Sequence, residues 1–194
     1  MYNADKKIDY EKEIKARLKP HQIKDLQKSC LSNETIYRAG YASDLYNGKH
    51  PSWSIELINP LTNKLWYKRD KLDKPFKNED GSTVKYLQPK NSGSQPYLSK
   101  QVTPEEWKTQ LADISVIRLL PEGEKKTDCA IQYLSPGSIA IGITGVNSWS
   151  NGSKQLNDFL DQYVALPGSR IIICVDSDYK TNPNIQKAIQ TLTQ

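Results

Sequence analysis

Histidine and cysteine are scarce in this chain. Its 194 residues hold two histidines, His21 and His50, and three cysteines, Cys30, Cys129 and Cys174, with no Cys-x-x-Cys spacing. So few nitrogen and sulfur ligands argue against a zinc site, and three distant thiols give no disulfide framework. Cys129 and Cys174 sit in apolar stretches and are expected as buried thiols. Long apolar runs are missing too. Nothing approaches the length that spans a bilayer, and the charged N-terminal stretch has no signal-peptide core. The expectation is a cytoplasmic protein with no membrane partner.

Apolar residues make up 37% of the chain, enough for one real core and a smaller satellite unit. The formal net charge of +5 is compatible with a phosphate-rich partner. It is equally compatible with a solvated, lysine-rich surface, so charge alone does not identify a nucleic-acid footprint.

Three segments emerge from the periodicity. Residues 1–47 read as a polar helical segment, broken at Pro20, with a short helix capped by Ser32 or Asn33 and ended by Gly40. Residues 48–98 read as a β-hairpin and linker. The alternation from Trp53 to Ile58 gives one strand, the turn at 59–63 reverses it, and Leu65 to Arg69 gives the second. Lys68 to Gly81 is charged and holds no core in this reading, Val84 to Leu87 forms a short strand, and Pro89 to Pro96 is a flexible connector. Residues 99–194 alternate helix and strand. Thr103-Pro-Glu-Glu106 opens a helix, and three buried strands are expected at Val116–Leu120, Ser138–Ile143 and Ile171–Val175. Helices lie between them at Lys125–Leu134, with Ala130, Ile131 and Leu134 inward, and at Leu156–Tyr163. Another begins at Asn182. That alternation predicts an α/β fold with a parallel sheet. No strand follows the last helix, so either the sheet is small or the chain is a fragment of a longer protein; the fragment is the preferred reading.

Acids stand at two strand ends. Glu122 follows the first strand of this segment, and Asp176 and Asp178 follow the third. Open α/β sheets place their chemistry at the C-terminal ends of strands. Carboxylates without nearby histidine suit a hard cation, Mg²⁺ or Mn²⁺, so Glu122, Asp176 and Asp178 are expected to converge on one metal. The competing reading makes Asp-Ser-Asp a cap for the loop and helix that follow. A P-loop is not supported, because the first glycine of that motif is missing before Gly123. A phosphatase-type aspartyl nucleophile fits poorly, with Lys180 where threonine or valine is wanted.

Three motifs together resemble a known family. Pro121-Glu-Gly-Glu-Lys-Lys126, Gly142-Ile-Thr-Gly-Val-Asn-Ser-Trp149 and Val175-Asp-Ser-Asp-Tyr-Lys-Thr-Asn-Pro183 look like a Toprim-like domain. More narrowly, they resemble the uncharacterised Toprim-like family of plasmid, phage and cyanobacterial replication proteins. The resemblance covers roughly the last eighty residues. Leu31 to Tyr41, Tyr67-Lys-Arg69 and Lys85-Tyr-Leu-Gln-Pro89 are similar to the segment that precedes Toprim in such proteins. The resemblance implies a Rossmann-like sheet, truncated here if the chain is a fragment, with Glu122 as acid/base or metal-organising residue and Asp176 and Asp178 holding Mg²⁺. It also implies that Gly123 lets the backbone approach a phosphate. Toprim domains occur in primases, topoisomerases and nucleases, so the implied activity is phosphoryl transfer on DNA or RNA. A helicase or another replication protein is the implied protein partner.

Lys125, Lys126 and Lys180 flank the acids and are candidate phosphate contacts. Trp66, Tyr67, Lys68 and Arg69 mix aromatic and basic side chains as single-strand binding surfaces do, although Trp66 reads first as hairpin core. The functional expectation is a Mg²⁺-dependent primase- or nuclease-type module of a replication protein. Its alternative is a catalytically silent module of the same fold that binds nucleic acid or a helicase.

Overall fold

The computed structural model describes residues 8–145, 148–150 and 155–192, with the Asp178 side chain outside the description. Three short helices open it. α1 (Tyr10–Arg17) starts where Asp9 accepts the Lys12 N–H at 3.1 Å, and Pro20 stands at the head of α2 (Pro20–Gln27). α3 (Asn33–Ala39) is capped by Ser32, whose hydroxyl accepts the Thr35 N–H at 3.1 Å, and it closes at Gly40 as expected.

The helices cover a four-stranded antiparallel sheet ordered β1-β2-β3-β4, formed by β1 (Ala42–Tyr46), β2 (His50–Asn59), β3 (Lys64–Lys77) and β4 (Thr83–Leu87). The hairpin expected around residues 59–63 is β2–β3. β1, however, arises inside the segment read as helical, and a chain reversal at Asn47 and Gly48, both with positive φ, returns the chain into β2. The charged stretch after Lys68 is not coreless either. β3 runs through it, burying Leu72 and Asp70, and the Asp70 carboxylate accepts the Ser52 hydroxyl proton at 2.8 Å. Alternate residues of a strand face opposite sides, so a lysine-rich run can still hide every second side chain. The stretch read as a flexible connector is tied down by Asn157, whose Nδ2 donates to the Ser94 carbonyl at 2.7 Å.

α4 (Pro104–Ala112) carries the expected Thr103–Glu106 capping box and buries Trp107 and Leu111. It leads into a separate parallel sheet ordered β6-β5-β7, built from β5 (Ile117–Pro121), β6 (Ser138–Ala140) and β7 (Ile171–Cys174). α5 (Glu124–Tyr133) connects β5 to β6, and α6 (Asp158–Tyr163) precedes β7. A 3₁₀ turn, Ser177–Lys180, and α7 (Pro183–Leu192) follow. The chain is thus mixed α/β, with a larger antiparallel sheet and a small parallel one.

Two expectations about the parallel sheet are corrected. β7 is an edge strand rather than a buried one: Ile171 and Ile172 are 38% and 50% exposed. The inward face of α5 is polar. Glu124, Thr127 and Asp128 are its buried residues, while Ala130, Ile131 and Leu134 are only half-buried. The chain just past β6 lies so close to this face that a Cβ on Gly142 would fall 2.5 Å from the Thr127 hydroxyl oxygen, so glycine fits there without a shift.

The polar face of α5 joins the two sheets' units. Asp128 is fully buried and accepts from the Tyr41 hydroxyl at 2.6 Å, the Tyr97 hydroxyl at 3.0 Å and Gln101 Nε2 at 2.9 Å. Burial pushes its carboxyl up to about 6, although hydrogen bonds from Ser99, Tyr41, Gln101 and Tyr97 oppose the shift. Trp66 packs against both hydrophobic cores and meets Phe159 edge-on at 5.7 Å. Its role extends past the hairpin into the seam between the sheets.

Candidate functional site

β5 delivers its chain end into a cleft. After Pro121 the backbone continues one pairing further: the Glu122 N–H donates to the Cys174 carbonyl at 3.2 Å, and Glu122 bridges to Ile143. Gly123 then turns the chain with φ +88° and ψ 159° to head α5. A side chain there would meet no atom within 4 Å, so the position needs glycine for its backbone angles rather than for space. Its N–H donates to the Ile143 carbonyl at 2.7 Å, fixing the turn against the chain that follows β6.

Because β5 and β7 are neighbouring parallel strands, Glu122 and Asp176 emerge at the same end of the sheet. Both line a cleft of about 500 Å³, together with Gly123, Thr144 and the first turn of α5. The opposite wall comes from the antiparallel sheet, through Arg69, Lys85 and Tyr86. Four basic side chains, Arg69, Lys85, Lys125 and Lys126, therefore surround three acids, Glu122, Glu124 and Asp176.

Ion pairs divide those charges. Arg69 Nη1 donates to Glu124 Oε1 at 2.6 Å, and the guanidinium also lies 4.9 Å from the Tyr86 ring centroid. Lys126 Nζ pairs with Asp176 Oδ1, both side chains being about half exposed. Lys125 reaches Asp25 of α2 at 3.5 Å, where Lys71 binds the same oxygen at 2.6 Å. Burial of Asp25 alone would raise its carboxyl, but the Lys71 hydrogen bond and the Lys125 charge outweigh it and hold the group below its usual range. Lys125 is shifted down, chiefly by burial, with Asp25 opposing.

The structure brings Glu122, Gly123, Lys125, Lys126, Arg69 and Asp176 to one cleft. Lys68 is not among them: it pairs with Asp44 at 3.1 Å, as expected of a residue next to Arg69 on a strand and so facing the other side. Lys180 is exposed in the 3₁₀ turn and does not line the cleft. Asp178 is in the same turn, and its side chain lies outside the described residues, as do Val146 and Asn147 of the second motif. Among the described residues no group of three or more His, Cys, Asp or Glu side chains is placed to hold a metal. Trp149 is buried in the second core.

Sequence reasoning missed Glu124, Lys85, Tyr86 and Asp25. Glu124 could have been found from its place on the first turn of α5, where an acid is expected on a helix. Lys85 and Tyr86 reach the cleft only through tertiary contacts, and Asp25 stands outside its lining as the partner of Lys125.

Comparison with known families bears on half of this cleft. Residues 106–194 match the family model described as a domain of unknown function, DUF3854. No curated protein and no solved structure gives a significant match. The DUF3854 segment contains Glu122, Gly123, Lys125, Lys126 and Asp176, whereas Arg69, Lys85 and Tyr86 lie outside it. Among the described residues no helix is long and apolar enough to cross a membrane.

Proposed function

We propose that this chain is a Toprim-like, Mg²⁺-dependent phosphoryl-transfer module acting on DNA or RNA, of the primase or nuclease type found in plasmid or phage replication proteins. The observation that carries the reading is the placement of Glu122 and Asp176 at the same end of two adjacent parallel strands, inside one cleft rich in basic side chains. Mg²⁺ takes few protein ligands and keeps its waters, so two carboxylates in an open cleft fit it, and Mn²⁺ can replace it. Glu122 and Asp176 would hold the ion, with Asp178 as the third acid of the motif. A bound ion there would neutralise phosphoryl oxygen charge.

The remaining roles belong to the chain itself. Glu122, at the turn between strand and helix, is the acid/base candidate. Gly123 keeps the turn free of a side chain, so a phosphate can approach the first turn of α5, where helix N–H groups favour negative charge. Arg69 and Lys85 supply charge from the opposite wall. Lys126 sits beside Asp176 on the first turn. A helicase or another replication protein is the proposed protein partner.

A second reading has its own support. Arg69 holds Glu124, Lys126 holds Asp176, and among the described residues no three-acid cluster forms. On that reading the module binds nucleic acid or a helicase without catalysis. Glu122→Gln separates the two. Under the catalytic reading it abolishes metal-dependent primer synthesis or nicking while single-stranded DNA binding persists. Wild-type protein that binds single-stranded DNA with steep salt dependence yet forms no product favours the binding module. Flat salt dependence removes the nucleic-acid surface from both.

A further inference from the structure

We infer that Lys126 is an exchangeable counter-ion: in the ligand-free protein it occupies the position at Asp176 that a divalent cation takes on binding. The inference rests on the metal-site reading above and adds to it a competitor supplied by the chain.

The cations around the cleft fall into two kinds. Arg69 is committed to the buried Glu124, and Lys125, 19% exposed, is committed with Lys71 to Asp25 of α2. These pairs hold α5 against the N-terminal elements. Lys126 differs in every respect. Its side chain and that of Asp176 are 46% and 50% exposed, the two residues lie 50 apart in sequence, and the pair links the first turn of α5 to the chain leaving an edge strand. Exposed pairs of this sort open at little cost, because water replaces the lost contact. Lys85 is also exposed in the cleft, but it forms no ion pair among the described residues.

One carboxylate oxygen cannot serve an ammonium and a dication at full strength together. Metal binding at Asp176 therefore sets Lys126 loose. Its Cα stays on the first turn of α5, beside Gly123, where an anion is favoured by the helix N-terminus. The released ammonium then remains within the same cleft as any phosphate drawn to the metal. Metal loading and anion capture are thereby linked through one side chain.

Titration of the full chain with Mn²⁺, with free ion followed by electron paramagnetic resonance, tests this in wild type, Lys126→Met, Lys85→Met and Asp176→Asn. Lys126 is a surface residue, so its variant keeps the fold, and circular dichroism verifies that; Lys126→Gln serves as the second variant. Lys126→Met should bind Mn²⁺ about twofold to fivefold more tightly than wild type, the range expected for losing an exposed ion pair. Lys85→Met should tighten binding less, and Asp176→Asn should lose it. Wild-type binding that Lys126→Met leaves unchanged or weakens overturns the counter-ion role while sparing the metal site. Equal tightening by Lys85→Met also overturns it, since general charge then explains the effect. Absence of Mn²⁺ binding in both wild type and Lys126→Met removes the metal site itself.

Discussion

Arg69 of the antiparallel sheet meets Glu124 of the parallel-sheet unit at 2.6 Å, with the two side chains 15% and 3% exposed. The contact crosses the seam between the two sheets at the mouth of the cleft. It also ties the cleft to a residue outside the segment that matches DUF3854. The basic wall is therefore part of the fold and not an attachment to it.

Removing Arg69 strands a buried carboxylate. Arg69→Met should destabilise the protein by about 3–5 kcal/mol, the usual cost of breaking a buried pair from one side. Arg69→Met/Glu124→Met should recover much of that loss, because no uncompensated charge remains. Urea denaturation of the three proteins measures both differences.

Asp128 predicts an unusual pH response. Its folded-state value of about 6 lies above the ordinary 3.8, so between those limits the native state holds more protons than the unfolded chain. The Asp128 contribution is then fully present below about pH 4 and lost as pH rises through about 6. Asp25, held low, works in the opposite sense and loses its contribution as pH falls. The observable is a difference: wild-type stability relative to Asp128→Asn should decline from pH 4 to pH 7, by an amount on the order of 3 kcal/mol. Denaturation curves across that range check the sign.

Gly123 and Gly142 should fail for different reasons. Gly123→Ala strains a backbone at φ +88° in open space and should cost about 1–3 kcal/mol. Gly142→Ala instead drives a methyl group into Thr127 and Tyr97, an overpacking cost of about 1–3 kcal/mol. Thr127→Ser/Gly142→Ala should not rescue fully, since the contact is with the hydroxyl oxygen; Thr127→Ala/Gly142→Ala should recover most of it. Thermal unfolding separates these variants.

Much of the fold was legible because its signals are local. The Ser32 and Thr103 caps, the hairpin at 59–63 and the Glu122-Gly123 turn after β5 each lie within a few residues of the feature they cause. β1 was hidden because its alternation is short and its residues are mostly half-buried. The inward face of α5 was misread because Glu124, Thr127 and Asp128 are buried by partners far away in sequence, namely Arg69, Tyr41 and Tyr97. Half of the cleft was legible from local signals. Glu122 and Asp176 carry strand-end signals, whereas Lys85 and Tyr86 enter only once β4 pairs with β3. The strand read at Leu65 to Arg69 already put Lys68 and Arg69 on opposite sides, but which side faces the cleft depends on the parallel-sheet unit packed against it.

The account turns on whether Glu122 and Asp176 bind a divalent cation. Thermal unfolding of the full chain at increasing Mg²⁺, for wild type, Glu122→Gln and Asp176→Asn, measures this directly, since an ion bound only by the native state raises stability by mass action. The predicted result is a midpoint that climbs with Mg²⁺ in wild type and barely moves in either variant. A wild-type midpoint indifferent to Mg²⁺ and to Mn²⁺, or one that climbs equally in all three proteins, would contradict it.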